Sequence, residues 1–570
     1  MSKILYILIL LNIFILSFGE NAEQKNKEFM QNLYGENKEI TGEYDNTLSV
    51  ECNNGIFVGN KTNDVLSFKG IPYAKPPIGD LRWKDPILAE DNNKVYQAYY
   101  FGKSPIQKEY YTQLGSFYPK SEDCLYLNIW VNTKDSSTDK PVMVFIHGGN
   151  YRGGATSDPL YDGYNLIEKY SDIILITVEY RLGLLGFIDF SSVPGGEDYK
   201  TSTNLGLLDQ ICALKWIQKN IKKFGGDPQK ITLFGNSAGG VSASLLSLID
   251  GTEGLFKRII SQSGPMSLTF SSEESKDLTK RLLKKSGASN MKDLLSLSEE
   301  KILEIYTSLN DYSNYAPRDG IVLPTDLYDK YKSGVTKNLD MLLGSNKDEV
   351  RYWAKSRGEF IFKLILPILY ENDLKKLSDE DKKNVEDFMK LQNDKKIWNI
   401  AEFYNELIFR IPIIKQAEYH SESGGNTYVY NWQYHGEDES FGAYHGIELP
   451  YIFNNYEGNS YNGKKINIDI ANKVQDMWVN FGKTGNPSTS DFVWEKYESD
   501  KRKTMILNEK IEIIEDYKSD QRELIEPLLK YNFNADFSRL SFNVPQVYKI
   551  AATIIFALLA LFGLIYLFRK

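Results

Sequence analysis

Short apolar runs alternate with longer amphipathic stretches through the middle of the chain. Between Pro141 and Ser263, runs rich in Val and Ile ("PVMVFIH", "DIILITVEY", "KITLFG", "RIISQSG") alternate with helical patterns such as "NLGLLDQICALKWIQKNI". This alternation is typical of a parallel sheet that is covered by helices on both faces. Two later runs, "LDMLLGSNKDE" and "TYVYNWQYH", are interpreted as further strands of the same sheet. The pattern predicts one large α/β domain.

A stretch with a different period follows these strands. From Ser271 to Tyr419, Lys, Glu, Asp and Leu recur at helical spacing. This spacing predicts a mostly helical insertion over one end of the sheet.

The first residues of the chain have the pattern of a secretory signal. Residues 1–19 contain one early lysine, an apolar run from Ile4 to Phe18, and small residues at Ser17 and Gly19 where a signal peptidase would cut. The apolar run is shorter than the roughly 20 residues that cross a bilayer. We therefore expect a cleaved signal peptide rather than an anchor.

The last residues have the pattern of a membrane span. Residues 550–568 are uncharged and almost wholly apolar, and two basic residues, 569–570, follow them as a predicted cytoplasmic tail. We then expect residues 537–549 to form a stalk and residues 20–536 a domain outside the cytosol. The pattern predicts a single-pass type I membrane protein of the secretory pathway, in the plasma membrane or an endomembrane. A GPI signal is the alternative, which the two terminal basic residues disfavour.

Charge and cysteine content narrow the function classes. The chain has 67 basic and 76 acidic residues, a formal net charge of -9, and no basic block, which argues against a nucleic-acid partner. Three cysteines allow at most one disulfide, and Cys212 lies on the apolar side of a predicted helix, where we expect a buried free thiol. The sequon "NKT" marks Asn60 for glycosylation.

One short segment carries candidate chemistry. "ITLFGNSAGG" places Ser237 between a β-branched run and a predicted helix, with Gly235 and Gly239 two residues away on either side. This is the spacing of a nucleophile elbow, in which a side chain at either glycine would collide with the neighbouring strand or helix. A serine hydroxyl is a weak nucleophile, so it needs a base.

The chain offers four histidines as that base. His147 begins "HGGNY" after a strand, where a structural role is expected, and His420 ends a polar helical segment, where it is interpreted as solvated. His435 and His445 both lie in Gly-containing loops beyond the last strand, and spacing does not choose between them.

The acid that orients the base is expected between the serine and the histidine in chain order. "GSNKDEV" offers both Asp348 and Glu349 there. An oxyanion hole needs backbone N–H donors, which this architecture takes from the residue after the nucleophile, Ala238, and from a glycine loop, here Gly148 and Gly149.

The chain resembles the type-B carboxylesterase and cholinesterase family of α/β-hydrolases, which also includes inactive adhesion proteins of the neuroligin kind. The matching segments are spread in the family's order over nearly the whole of the predicted extracytosolic domain. They are "FKGIPYAKPPIGDLRW", "SEDCLYLNIWV", "HGGNYRGG", "EYRLGLLGF", "NLGLLDQ", "FGGDPQKITLFGNSAGG", "SQSG", "GSNKDE", "YHGIELPYIF" and "WVNFGKTGNP".

The resemblance implies an α/β-hydrolase fold and a Ser-His-Glu triad. The implied site residues are Ser237, Glu349 and His445 as the triad, Gly149, Asn150 and Ala238 as oxyanion donors, and Ser263 as a serine that helps to hold the acid. Phe270, seven residues after Ser263, is a candidate for the wall of the acyl pocket, and a core aromatic is the alternative interpretation. Cys124 matches a disulfide cysteine of the family whose usual partner position, near Pro105, holds no cysteine; the remaining expectation is a Cys52–Cys124 bond.

The implied activity is hydrolysis of small-molecule carboxylic esters through an acyl-enzyme, without metal or cofactor. The alternative is a neuroligin-like recognition protein, which the retained triad positions disfavour. Two departures argue against a choline-ester specialist: Asn236 replaces the glutamate that cholinesterases and many carboxylesterases carry before the nucleophile, and "QLGSFYPKSEDC" lacks the tryptophan of cholinesterases.

Overall fold

The computed structural model describes residues 35–107, 119–309, 315–456, 461, 466–531 and 533. Eleven strands form one mixed sheet in this part of the chain. In chain order they are β1 (Asn60–Thr62), β2 (Val65–Pro72), β3 (Tyr126–Asn132), β4 (Lys140–Ile146), β5 (Ile174–Val178), β6 (Gly226–Asn236), β7 (Arg258–Gln262), β8 (Asp340–Asn346), β9 (Asn426–Trp432), β10 (Thr504–Leu507) and β11 (Glu512–Ile514).

The sheet is parallel in its centre and antiparallel at its edges. Its order is β11-β10-β9-β8-β7-β6-β4-β5-β3-β2-β1. In this order, all neighbours between β10 and β5, including β4, pair in parallel. The edge strand β11 and the strands β1 to β3 pair antiparallel with their neighbours. Every run interpreted as a strand in the sequence belongs to this sheet, so the predicted architecture is confirmed.

The central strands are buried on both faces. In β4, Val142, Val144 and Ile146 pack into one apolar cluster, while Met143 and Phe145 pack into the other. Alternate residues of a strand point to opposite faces, so this division places a core on each side of the sheet.

Helices build both covering layers. Ahead of β8, the described α-helices are Tyr164–Lys169, Gly183–Gly186, Leu205–Asn220, Ala238–Leu246, Ser272–Ser286, Met291–Leu295, Glu299–Ser308 and Leu327–Lys332. After β8 they are Arg351–Arg357, Glu359–Leu374, Asp379–Lys390, Lys396–Tyr404, Ile411–Glu422, Leu449–Phe453, Ile468–Thr484 and Ser519–Ile525, with a π-helical segment at Asn405–Arg410. The predicted helical insertion is therefore present, but β8 divides it into two parts.

Short strands complete the described structure. Ser49–Cys52, Gly55–Val58 and Val95–Gln97 form a three-stranded sheet. Two further pairs join Ser104–Pro105 to Lys120–Ser121 and Phe270–Ser271 to Pro317–Arg318.

The expected disulfide is not formed, because Cys52, Cys124 and Cys212 are all buried free thiols. Cys52 ends the strand Ser49–Cys52, whereas Cys124 is buried and interacts electrostatically with Asp209 and Arg181. Burial raises the pKa of Cys52 and of Cys212 to about 12, so both thiols stay protonated. The prediction of a buried free thiol at Cys212 is confirmed.

The structure does not describe the predicted signal peptide or the predicted membrane segments. The signal peptide at 1–19, the stalk at 537–549, the span at 550–568 and the tail at 569–570 all lie outside the described residues. Within the described ranges, no helix has both the length and the apolar character that a bilayer crossing needs.

Candidate active site

Ser237 lies at a sharp turn between β6 and the helix Ala238–Leu246. Its backbone has φ 58° and ψ −127°, a conformation that non-glycine residues rarely adopt. The Ser237 N–H donates to the carbonyl of Gln262 at 2.8 Å, and its carbonyl accepts from Val241 at 2.8 Å. The strained residue is thus held by the neighbouring strand and by the helix that follows it.

The two glycines around Ser237 are required by close packing. A Cβ atom at Gly239 would lie 1.9 Å from the carbonyl oxygen of Ile146, and one at Gly235 would lie 2.5 Å from the carbonyl carbon of Gly239. Both distances are far below van der Waals contact, so the collisions expected from the sequence are present.

Glu349 and His445 form a buried contact. Glu349 follows β8, is fully buried, and its Oε2 lies 2.6 Å from Nδ1 of His445. Its Oε1 accepts a hydrogen bond from the backbone N–H of Asn346 at 2.7 Å. Because Nδ1 is occupied by the carboxylate, Nε2 is the nitrogen of His445 that is available to take a proton.

The other candidates for base and acid are placed differently. His435 is partly exposed, and its Nδ1 lies 2.9 Å from the carbonyl of Gly436. Asp348 accepts from the backbone N–H of Ala443 at 3.0 Å and pairs with Arg351 at 3.1 Å. Asp348 therefore supports the loop that carries His445, whereas Glu349 contacts the imidazole.

The interpretation of His420 as solvated is wrong. His420 is fully buried, with Nδ1 2.8 Å from Thr427 Oγ1 and Nε2 3.1 Å from the carbonyl of Thr336. Burial lowers its pKa to about 4, so the imidazole is neutral and structural.

The glycine loop after β4 lies directly against the nucleophile turn. A Cβ atom at Gly148 would be 3.2 Å from Cβ of Ser237. Gly149, Asn150 and Tyr151 all have positive φ, at 112°, 57° and 54°. Among the described residues, the backbone N–H groups of Gly149, Asn150 and Ala238 find no hydrogen-bond acceptor. Three unpaired donors around a serine suit the binding of an oxyanion.

Three aromatic rings surround His445. The ring centroids of Tyr352, Trp353 and Phe409 lie 5.9, 5.8 and 5.4 Å from that of the imidazole. Tyr352 and Trp353 follow Glu349 by three and four residues. This spacing predicts that both rings lie near Glu349, and therefore near the imidazole that Glu349 contacts. Phe409 comes from the π-helical segment, and no local sequence signal marks it.

A buried carboxyl that the sequence reasoning missed connects the three segments of the site. Glu448 Oε1 accepts from Asn236 Nδ2 at 2.9 Å and from Gln262 Nε2 at 3.1 Å, and its Oε2 accepts from Asn346 Nδ2 at 2.7 Å. Burial raises the pKa of Glu448, and the nearby charge of Glu349 raises it further. Its place three residues after His445, in "HGIE", was the available signal.

The expected contact between Ser263 and the acid is not formed. Ser263 is fully buried, but its hydroxyl has no hydrogen-bond partner in the part of the chain that the structure describes. The backbone N–H of Asn346 holds the free oxygen of Glu349 instead.

Phe270 and Asn60 are the two remaining site residues. Phe270 is buried in the core and packs edge-on against Tyr315, with 5.1 Å between centroids. Asn60 is exposed on the edge strand β1, where its side chain is accessible to a glycosyltransferase.

Comparison with known proteins gives consistent matches over this whole region. The model of the carboxylesterase family matches residues 46–525. Over 494 residues the chain is 33% identical to a para-nitrobenzyl esterase from Bacillus subtilis (strain 168), covering 82% of this chain and 96% of the relative. It is 30% identical over 529 residues to an acetylcholinesterase from Leptinotarsa decemlineata, covering 81% and 82% of the two chains.

Solved structures agree with this fold. The structure of a Geobacillus stearothermophilus carboxylesterase at pH 6.2 is similar with a TM-score of 0.76 and 29% identity, covering 84% of this chain and 99% of that one. A thermophilic PNB esterase is similar with a TM-score of 0.71 and 30% identity, with the same coverage.

Proposed function

Because the chain belongs to the carboxylesterase family and is a carboxylic ester hydrolase, we propose that it works through an acyl-enzyme on Ser237, with His445 as base and Glu349 as the carboxylate partner of the base. The observation that carries this proposal is the 2.6 Å contact between His445 Nδ1 and Glu349 Oε2. It fixes the imidazole tautomer that leaves Nε2 as the acceptor.

In the first step, Ser237 Oγ attacks the ester carbonyl while His445 Nε2 takes the hydroxyl proton. The imidazolium then gives this proton to the departing alcohol oxygen. In the second step, His445 takes a proton from water, the resulting hydroxide attacks the acyl carbon, and the carboxylic acid leaves as Ser237 regains its proton. The buried Glu349 carboxylate stabilises the imidazolium in both steps.

The negatively charged oxygen of each tetrahedral intermediate accepts hydrogen bonds from the backbone N–H groups of Gly149, Asn150 and Ala238. Their lack of other acceptors in the described residues supports this role. One such donor contributes about 3 kcal/mol to transition-state stabilisation. The side chain of Asn150 stands where the family has a third glycine, so we expect it to border the acyl group.

The substrate class is the small-molecule carboxylic esters. Asn236 holds the buried Glu448 through a neutral amide at the position where cholinesterases place a carboxylate. This arrangement, with the missing tryptophan, favours general esters over choline esters as substrates.

The cellular setting is part of the same proposal. Residues 1–19 direct the chain into the secretory pathway, residues 550–568 anchor it, and the exposed Asn60 carries a glycan. Digestion with an endoglycosidase before and after Asn60→Gln, in protein from a eukaryotic host, tests the last point; an unchanged mass difference rules out a glycan at Asn60.

A fluorophosphonate probe tests the nucleophile. We expect the protein to be labelled, Ser237→Ala to lose the label, and Ser247→Ala, at the other end of the following helix, to keep it. The absence of label on the unmodified protein would contradict the proposal and favour the recognition-protein alternative.

A further inference from the structure

A buried histidine and a buried glutamate face each other behind the glycine loop. His147 is fully buried and Glu179 is 2% exposed. Nε2 of His147 lies 3.4 Å from Oε2 of Glu179. Neither atom has a hydrogen-bond partner in the described part of the chain. Two buried polar atoms aimed at each other without a resolved bond require an explanation.

The other ring nitrogen shows where the protons must be. Nδ1 of His147 lies 2.8 Å from the carbonyl oxygen of Gly148. A carbonyl only accepts, so Nδ1 carries a hydrogen. A neutral imidazole then presents a bare lone pair at Nε2 to the carboxylate, and two acceptors at this distance repel. One proton between Nε2 and Oε2 turns the repulsion into a charge-assisted hydrogen bond.

We propose that His147 and Glu179 share one proton, and that this protonated pair is a positioning device for the oxyanion loop. This inference rests on the proposed function of Gly149 and Asn150 as oxyanion donors. It assigns a role to two side chains that do not touch the reacting atoms.

The pair connects the two ends of the loop. His147 is its first residue, and Thr156, near its end, donates from its backbone N–H and its hydroxyl to Oε1 of Glu179. With Oε1 occupied in this way, Oε2 is the oxygen that faces the imidazole. A link through Glu179 therefore closes the segment 147–156, which includes the three consecutive residues with positive φ.

Tyr180 also holds the imidazole ring of His147. It stacks on His147 with 4.5 Å between centroids, and its hydroxyl donates to the carbonyl of His147 at 2.8 Å. The imidazole is thus fixed by a stacking contact, by the Gly148 carbonyl and by Glu179. Loss of the shared proton removes the hydrogen bond between His147 and Glu179.

Other titratable groups lie close to the pair. Tyr73 donates to the backbone carbonyl of Glu179, and Cys124 and Tyr180 interact electrostatically with the Glu179 carboxylate. Burial raises the pKa of Tyr73, of Tyr180 and of Cys124 well above their ordinary values, so these groups stay neutral while the enzyme is assayed.

Glu179→Gln removes the need for the shared proton but keeps the hydrogen bonds and the size of the side chain. The amide oxygen keeps the two bonds from Thr156, and the amide N–H₂ donates to a neutral Nε2 without any ionisation. Glu179→Leu removes both links. We expect Glu179→Gln to retain kcat within about threefold and Glu179→Leu to lower kcat by about 10- to 100-fold with little change in KM, since the affected donors act on the transition state.

The experiment is a set of kcat and KM profiles with a p-nitrophenyl ester from about pH 6 to about pH 10. The unmodified enzyme should lose kcat on the alkaline side as the shared proton leaves, and Glu179→Gln should lose less. Glu122→Gln is the matched control, since it changes an equally buried carboxylate, paired with Arg82, without touching the loop; its profile should follow that of the unmodified enzyme.

The inference is overturned if the unmodified enzyme and Glu179→Gln have the same alkaline profile, or if a folded Glu179→Leu keeps full kcat. If Glu179→Leu does not fold, the comparison of profiles alone decides. Failure of the proposed function is distinguishable, because the unmodified protein would then neither hydrolyse the ester nor take the fluorophosphonate label.

Discussion

The side-chain amide of Asn236 donates a 2.9 Å hydrogen bond to the buried carboxyl of Glu448. The bond joins the residue before Ser237 to the residue three positions after His445. Because Glu448 also accepts from Asn346, near the acid, one carboxyl holds together the turn, the acid loop and the histidine loop. The relative positions of Ser237, Glu349 and His445, the proposed triad, depend on this carboxyl.

Asn236→Asp keeps the shape of the side chain but places a second carboxyl 2.9 Å from Glu448. Two carboxylates at this distance do not both ionise, so one must take up a proton or the pair must separate. We expect kcat/KM to fall at least about tenfold at alkaline pH, and the ratio to the unmodified enzyme to recover as the pH falls, because the shared proton restores the bond.

Asn236→Ala is the control, since it removes the donor without adding charge. Its loss should be smaller, and its ratio to the unmodified enzyme should not change with pH. Measurement of kcat/KM for all three proteins at several pH values decides the matter; a ratio for Asn236→Asp that is constant with pH contradicts the argument.

The choice of acid is tested by a pair of neighbouring substitutions. Glu349→Gln removes the charge that orients and stabilises the imidazolium, and we expect kcat to fall by about 10³- to 10⁴-fold with KM little changed. Asp348→Asn is the matched control, because Asp348 contacts Ala443 and Arg351 rather than the imidazole. Its kcat should fall less than about tenfold. A larger loss of kcat for Asp348→Asn than for Glu349→Gln would show that Asp348, and not Glu349, acts as the acid.

The sheet and the nucleophile turn could be predicted because their causes are local. A β-branched run forms a buried strand, and Gly235 and Gly239 are required by the packing immediately around Ser237. Spacing alone did not choose between His435 and His445, since both loops follow the same strand; the family resemblance did, and the structure pairs His445 with Glu349.

The polar partners could not be predicted, because they join segments that are distant in the sequence. Glu448 lies 212 residues from Asn236, and no period in the sequence relates them. The same is true of His147 and Glu179, whose contact depends on the pairing of β4 with β5. Ser263 is not a partner of the acid, since its hydroxyl has no hydrogen-bond partner in the described residues, whereas the backbone N–H of Asn346 donates to Glu349.

His420 provides a prediction for stability against pH. Burial lowers its pKa from 6.5 to about 4, so between these values the unfolded chain binds a proton that the folded chain does not. Stability then rises with pH: the contribution of His420 is fully present above pH 6.5 and is lost as the pH falls towards about 4. Its full size is about 3 kcal/mol, of which roughly 2 kcal/mol is lost between about pH 7 and about pH 5.

His420→Gln tests this contribution, because an amide can serve both Thr427 and the Thr336 carbonyl without ionising. The free energy of unfolding is measured in urea at about pH 7 and at about pH 5. We expect its decrease between these two values to be roughly 2 kcal/mol smaller for His420→Gln than for the unmodified protein. His435→Gln, at a partly exposed position, should leave the pH dependence unchanged. Parallel pH dependences for His420→Gln and the unmodified protein would show that protonation of His420 does not oppose folding, since the buried imidazole would then accept its proton as readily as the unfolded one does.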